Sequence, residues 1–190
     1  MRDGWSTNLL PTSLTVNGIE HPIRYQYTAI LDIFRALNAR DLEDNEKVYC
    51  CLLILYEDFD EIPEEDYQAA FDAAREFIDN GMGEEKRDNI KKVDFEQDEK
   101  LLIPAINRVA GREIRLDPDI HWWTFLGWFM EIGECTYSQV LNIRNKKAKG
   151  KPLEKWEQEF YAANKKICDI QIRLTEEEKE AERKLNEFLR

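Results

Sequence analysis

The sequence predicts a mainly α-helical protein, in which an N-terminal β-hairpin is followed by two helical halves with about seven helices in all. Three observations carry that prediction. Apolar and polar residues alternate from Ser13 to Arg24 around Asn17-Gly18, the dipeptide that most readily takes the two positive φ angles of a type I′ turn. Beyond the hairpin, apolar residues recur at three- and four-residue steps, the spacing of one helix face. Midway, Gly81-Met-Gly-Glu-Glu-Lys-Arg-Asp-Asn89 combines two glycines and five charges without periodicity and reads as a linker. The expected division is a hairpin plus three-helix acidic half over 1–82, a flexible linker over 83–93, a tryptophan-rich helical half over 94–172 and a charged C-terminal helix over 173–190.

Each element has its own signal. In the hairpin, Pro22 lacks a ladder donor, so the second strand should lie at an edge or be covered. Tyr27, Ile30, Leu31, Phe34 and Leu37 place a striped helix over about 26–39. Over about 45–59, Val48, Cys51, Leu52, Ile54 and Leu55 make a helix that is apolar almost all round, which argues for a central position. Pro63 starts a third helix, with Glu64, Glu65 and Asp66 at its positive end and a stop at Asn80-Gly81.

The second half resumes at about Asp94 and runs to Ala110-Gly111, with a kink expected at Pro104. Residues 112–116 read as a short strand or extended loop. Asp117-Pro-Asp119 should cap the most hydrophobic helix, which begins at Ile120 and closes at Gly133. Three further helices are expected over about 136–145, 152–170 and from Thr175 to the end. The last opens with a Thr175-Glu-Glu-Glu178 capping box and carries a narrow stripe of Ala181, Leu185, Phe188 and Leu189.

Composition excludes several classes of function. Lys and Arg number 27 against 39 for Asp and Glu, a net charge of −12 that disfavours phosphate backbones and anionic bilayers. The longest apolar run, Tyr49 to Tyr56, has eight residues where a membrane helix needs roughly 20. No signal-peptide h-region follows Met1, so a cytosolic address is expected. Cys50, Cys51, Cys135 and Cys168 form no C-x-x-C pair and read as reduced structural thiols.

No catalytic constellation emerges, and the chain reads as a non-enzyme without cofactor or metal. His21, beside a proline, reads as an ordinary surface or turn histidine. Asp117, Asp119 and His121 are the only candidate ligand set, but acids at a helix start already serve as cap and dipole partners. The one-turn pairs Glu131/Glu134 and Asp94/Asp98 read as solvated faces, and the basic run Arg144 to Lys151 as a solvated loop. P-loop, G-x-G-x-x-G, G-x-S-x-G and H-E-x-x-H patterns do not occur.

Trp122, Leu126 and Phe129 share one face of the hydrophobic helix, and Phe125, Trp128 and Ile132 another. A buried core helix is the expectation, and interface tryptophans are compatible with it. Charge is unevenly spread. Between Asp41 and Glu99 stand 21 acidic and six basic residues, a balance of −15, which leaves the rest near +3. Such polarity suits head-to-tail self-association or a basic client.

From about Leu9 to Ile170 the chain resembles the bacteriophage gene-product-fifteen family. The resemblance is carried by Leu9-Leu-Pro-Thr-Ser-Leu-Thr-Val-Asn-Gly-Ile-Glu-His-Pro-Ile23, by Phe95-Glu96-Gln97-Asp98, and most strongly by His121-Trp122-Trp123 with Phe125. It implies a tail-module protein of long-tailed phages, encoded between the major tail protein and the tape measure. By that position it implies a non-enzymatic tail assembly chaperone that coats the tape-measure protein and helps recruit tail-tube subunits. Such a protein would act in the host cytoplasm and be absent from the mature virion. The alternative is a permanent virion component such as a tail-completion protein. Candidate partner contacts are Trp122, Trp123 and Trp128, with Leu185 and Phe188 on the terminal helix.

Overall fold

The hairpin forms as its turn chemistry dictates: β1 (Ser13–Val16) pairs antiparallel with β2 (Ile19–Pro22), and Asn17 and Gly18 take φ values of 48° and 91°. A computed structural model describes residues 10–79 and 93–171, together with Glu178, Glu180, Arg183 and Glu187. Eight α-helices follow the hairpin among the described residues. They are α1 (Tyr27–Leu37), α2 (Asp44–Leu55), α3 (Tyr67–Ile78), α4 (Phe95–Ala110), α5 (Trp122–Met130), α6 (Thr136–Ala148), α7 (Lys155–Ala163) and the single turn α8 (Lys165–Cys168). The chain is therefore mainly α-helical with an N-terminal hairpin, as the sequence predicts. No helix among the described residues is long and apolar enough to cross a membrane.

Pro22 ends the ladder, and its carbonyl accepts instead from the Glu57 amide at 3.0 Å. Arg24, just beyond, donates to the carbonyls of Ile54 at 2.9 Å and Tyr56 at 3.0 Å, satisfying groups that the end of α2 leaves free. The hairpin is thereby stitched to the C-terminus of α2.

Several local expectations are corrected. Helix α2 is not central: Cys51, Leu52 and Leu55 are buried, but Tyr49 and Leu53 are exposed on its outer side. Pro63 precedes a 3₁₀ turn, Glu64–Asp66, before α3 begins. Residues Ile114–Leu116 form another 3₁₀ turn, neither strand nor extended loop, because the Asn107 side chain accepts from the Ile114 amide at 2.9 Å and turns the chain there. The cap of α5 is His121 rather than Asp117-Pro-Asp119, and the helix ends at Met130, before Gly133. The expected 152–170 helix is broken into α7 and α8 around Asn164. Helix α4 contains Pro104, which is exposed. Its end at Gly111, φ 70°, is as expected.

Residues from both sides of the 80–92 segment share one hydrophobic core. Ile30 and Ile33 of α1, Leu52 and Leu55 of α2, Ala74 and Phe77 of α3, Leu102 and Ile106 of α4, and Trp122 and Phe125 of α5 belong to it. A second, smaller core of Val140, Ile143 and Cys168 joins α6 to α8. All four cysteines are free thiols, with Cys51 and Cys168 buried. The linker expected over 83–93 falls outside the described residues except for Val93, as do Leu185 and Phe188.

Candidate functional site

Part of what carries the sequence resemblance, His121-Trp122-Trp123 with Phe95 and Phe125, meets the hairpin exit and the end of α3 in one junction. His121 is the N-cap of α5. Its Nδ1 accepts from the Trp123 amide at 3.0 Å, and its Nε2–H donates to the Pro11 carbonyl at 2.9 Å. Both ring nitrogens are used, the first as acceptor, so the bound form is the neutral imidazole. The ring stacks on Tyr25 at 5.2 Å between centroids. Backbone bonds from Trp122 to Tyr25 and from Tyr27 to Ile120 complete a short antiparallel contact between the hairpin exit and the start of α5.

The next two residues finish α3. The indole N–H of Trp122 donates to the Ile78 carbonyl, and that of Trp123 to the Phe77 carbonyl, each at 2.8 Å. Those carbonyls are at the helix C-terminus, where intrahelical donors run out; the Phe77 carbonyl also receives the Asp79 amide at the cap. Trp122 is 1% exposed, packed against Phe34, Phe95 and Phe125. It is core and offers no surface to a partner, which corrects its assignment as a partner contact. Trp123 is half-buried, stacked on Phe77, and Trp128 is half-buried beneath the Arg112 guanidinium at 5.9 Å.

The Phe95-Glu96-Gln97-Asp98 block is equally structural at three positions. Phe95 stacks on Phe34 at 5.2 Å. Gln97 donates to the Asp169 carbonyl at 2.9 Å. Asp98, 2% exposed, forms a two-pronged pair with Arg144 at 2.7 and 2.8 Å. Arg144 also donates to the carbonyls of Cys168 and Ile167 at 2.9 and 2.7 Å, closing the end of α8. Asp94 is buried too and caps α4, accepting from the Glu96 and Gln97 amides. Asp94 and Asp98 are thus not a solvated face, and Arg144 is not part of a solvated loop. Each finds its partner inside the fold, because burying an isolated charge is far more costly than burying a paired one.

The expected metal and catalytic candidates do not assemble. Asp117 pairs with Arg112 at 2.8 Å, and both nitrogens of His121 are engaged. His21 is buried, not a surface residue; its Nδ1 lies 2.9 Å from Asp58 Oδ2 and its ring meets the Tyr56 ring edge-on. Among the described residues, no group of three or more His, Cys, Asp and Glu side chains converges on a common point.

An open groove remains between α1 and α4, with a volume of about 350 Å³. Tyr27, Leu31, Phe34, Phe95 and Ile103 make its apolar floor, and Asp32, Arg35, Asn38, Glu96, Glu99 and Arg115 its polar rim. The stack of Phe34 on Phe95 sets the floor, so one end of the groove is positioned by the residues that also build the junction. Arg35 bridges the lips, 3.5 Å from Glu96 and bonded to Asp32. At the other end Arg115 holds Glu113, and this hydrogen-bonded pairing pulls the Glu113 carboxyl down to about 2. Burial, with Glu113 nearby, raises the Tyr27 phenol above its usual value and keeps it neutral. The surface is shaped for an apolar face with charged flanks. No pattern of this kind was legible in the sequence, because its two walls lie more than fifty residues apart in the chain.

The His121 cap makes a pH prediction. Burial lowers its proton affinity, against a smaller opposing effect of the bond to Pro11. A lowered folded value means that the unfolded chain binds protons more readily. The contribution is therefore complete above the ordinary histidine value, roughly 6.5, and is lost as pH falls below it. His121→Asn keeps a good cap and cannot titrate in this range, so urea midpoints should fall less between pH 7 and pH 5 in the variant than in the parent. Identical pH dependence in the two would refute the assignment.

The Bacteriophage Gp15 protein family model matches residues 7–170. No curated protein and no solved structure matches the chain. The match spans the hairpin, the junction and the groove, and ends just after α8. The chain belongs to the Bacteriophage Gp15 protein family.

Proposed function

We propose that the protein is a non-enzymatic tail assembly chaperone that acts in the host cytoplasm, holding a helix of the tape-measure protein in the α1–α4 groove and helping to recruit tail-tube subunits. The observation that carries this reading is the groove itself. Its floor of Leu31, Phe34 and Phe95 suits an amphipathic helix that lays apolar residues at three- and four-residue steps into an apolar channel. Its rim of mixed charge suits the flanks of such a helix, which set register more than affinity. The non-catalytic part of the reading is supported by the histidines, both of which are occupied in holding the fold together. Trp122 and Trp123, whose indole N–H groups close α3, leave the client contact to α1 and α4.

Co-expression tests it. The tape-measure protein should stay soluble with the parent chain and precipitate when Leu31→Asp and Phe34→Asp are introduced, with far-UV circular dichroism as the check on folding. Equal precipitation with and without the parent chain would end the proposal. Mass spectrometry of purified particles separates the chaperone from a tail-completion component: a chaperone is absent, a structural subunit present in fixed stoichiometry.

A further inference from the structure

Two exposed surfaces of opposite charge, each bearing an exposed aromatic ring, stand on different parts of the molecule. The first is the outer side of α2. Tyr49 is 47% exposed there, with Leu53 one turn on, and its ring meets those of Phe59 and Tyr67 at 5.1 and 6.4 Å between centroids. Acidic residues adjoin these rings. Asp60 and Glu61 follow Phe59 in one 3₁₀ turn, and Glu64 and Glu65 precede Tyr67 in the next. All four are exposed, and none has a cationic partner among the described residues. Glu64 and Asp60 lie close enough to the Tyr67 phenol to raise it, after the larger effect of burial. From Val48 to Ala74 the chain carries eight acidic residues and no lysine or arginine, so the stretch neutralises none of its own field.

The second surface is where α6 ends and α7 begins. Lys149, Lys151 and Lys155 are exposed there, and the Trp156 indole is 48% exposed. The Lys151 amide closes α6 on the Lys146 carbonyl at 2.8 Å, and the Lys146 ammonium ties that end to α7 through Glu157 at 2.6 Å. Lys146 also lies 3.7 Å from Glu154, so it occupies both nearby carboxylates. Lys149, Lys151 and Lys155 have no anionic partner among the described residues. The first surface rides on the core of Leu52 and Phe59, the second on that of Val140 and Ile143.

We propose that copies of this chain associate head to tail, the lysine end of one copy, with Trp156, seated on the acidic Tyr49 face of the next. Opposite charge steers the encounter and sets the register, and the indole against the tyrosine ring supplies the apolar contact. The contact is heterologous: each copy offers two different patches, and one of each stays free at the ends of an open assembly. The groove residues of α1 and α4 take no part, so the association does not depend on the chaperone reading.

Sedimentation velocity on the full-length chain tests it. The average mass should rise with protein concentration at about 0.1 M salt and fall towards the monomer at about 1 M, where the screening length shrinks from about 10 Å to about 3 Å. Asp60→Lys with Glu64→Lys, and separately Lys149→Glu with Lys151→Glu and Lys155→Glu, should each weaken association roughly tenfold or more. Mixed together, the two variants should form pairs and nothing larger, because each retains one working patch. Far-UV circular dichroism checks folding, and Trp156→Ser, which removes an exposed ring, reads the same loss should a charge reversal unfold the chain. A parent chain that stays monomeric at low salt overturns the proposal. So does association that the reversals leave unchanged, or a mixture that assembles as far as the parent.

Discussion

Asp98→Ala is expected to destabilise the protein by about 3–5 kcal/mol, the usual result of removing one partner from a buried ion pair. The loss comes less from the attraction forfeited than from what is left behind. Arg144 would keep its charge at a site only 6% exposed after losing its two-pronged bond to the Asp98 carboxylate. The Asp94 amide, which donates to Asp98 at 3.2 Å, would lose that partner as well. Against a typical total of about 5–15 kcal/mol, such a loss is a large fraction of the whole. Replacing both partners, Asp98→Leu with Arg144→Met, should cost less than Asp98→Ala alone, because no charge is then stranded. Urea unfolding of the three variants decides; a double variant as unstable as the single would show that packing around α6, not charge, governs the site.

Trp122→Ala should rank beside it, at about 3–5 kcal/mol for a large aromatic truncated in a packed core. The indole touches rings from α1, α4 and α5 and holds the end of α3, so one truncation opens a cavity where four helices meet. Trp122→Phe separates the two contributions. It retains most of the apolar contact and removes the N–H, leaving the Ile78 carbonyl without its donor at a cost of about 1–3 kcal/mol. Trp123→Phe should cost less than Trp122→Phe, since Trp123 is half-buried and water can reach the Phe77 carbonyl more readily. Equal losses from the two phenylalanine variants would contradict the difference in burial on which the comparison rests.

The two experiments probe different layers of the same design. Asp98 and Arg144 join α4 to α6 and α8, whereas Trp122 joins α3 and α5 to α1 and α4. The groove lies between α1 and α4, and Phe95 belongs to both the junction and the groove floor. Changes in the junction should therefore weaken client binding indirectly, through the position of Phe95, whereas changes at Leu31 and Phe34 act on the contact itself.

What could be read along the chain was what short-range physics controls. Asn17-Gly18 made the hairpin turn because few other dipeptides take two positive φ values, and Gly111 ended α4 for a related reason. The apolar stripes of α1 and α3 showed which faces would be buried. Pairings between distant segments left no such local trace. A carboxylate at position 98 looks the same in a sequence whether it faces water or an arginine 46 residues further on. Likewise, an apolar run such as that in α2 does not state which of its sides will be covered, and Leu53 remained in solvent. The capping role of His121 was not legible along the chain, because it depends on Pro11, 110 residues away, and on the free amides of a helix start. Helix and turn formation depend on residues within a turn or two of each other, so local sequence specified them. The buried ion pair, the tryptophan closure of α3 and the groove arose only when packing brought remote segments together, because charge neutralisation and cavity shape belong to the assembled interior and to no single stretch of chain.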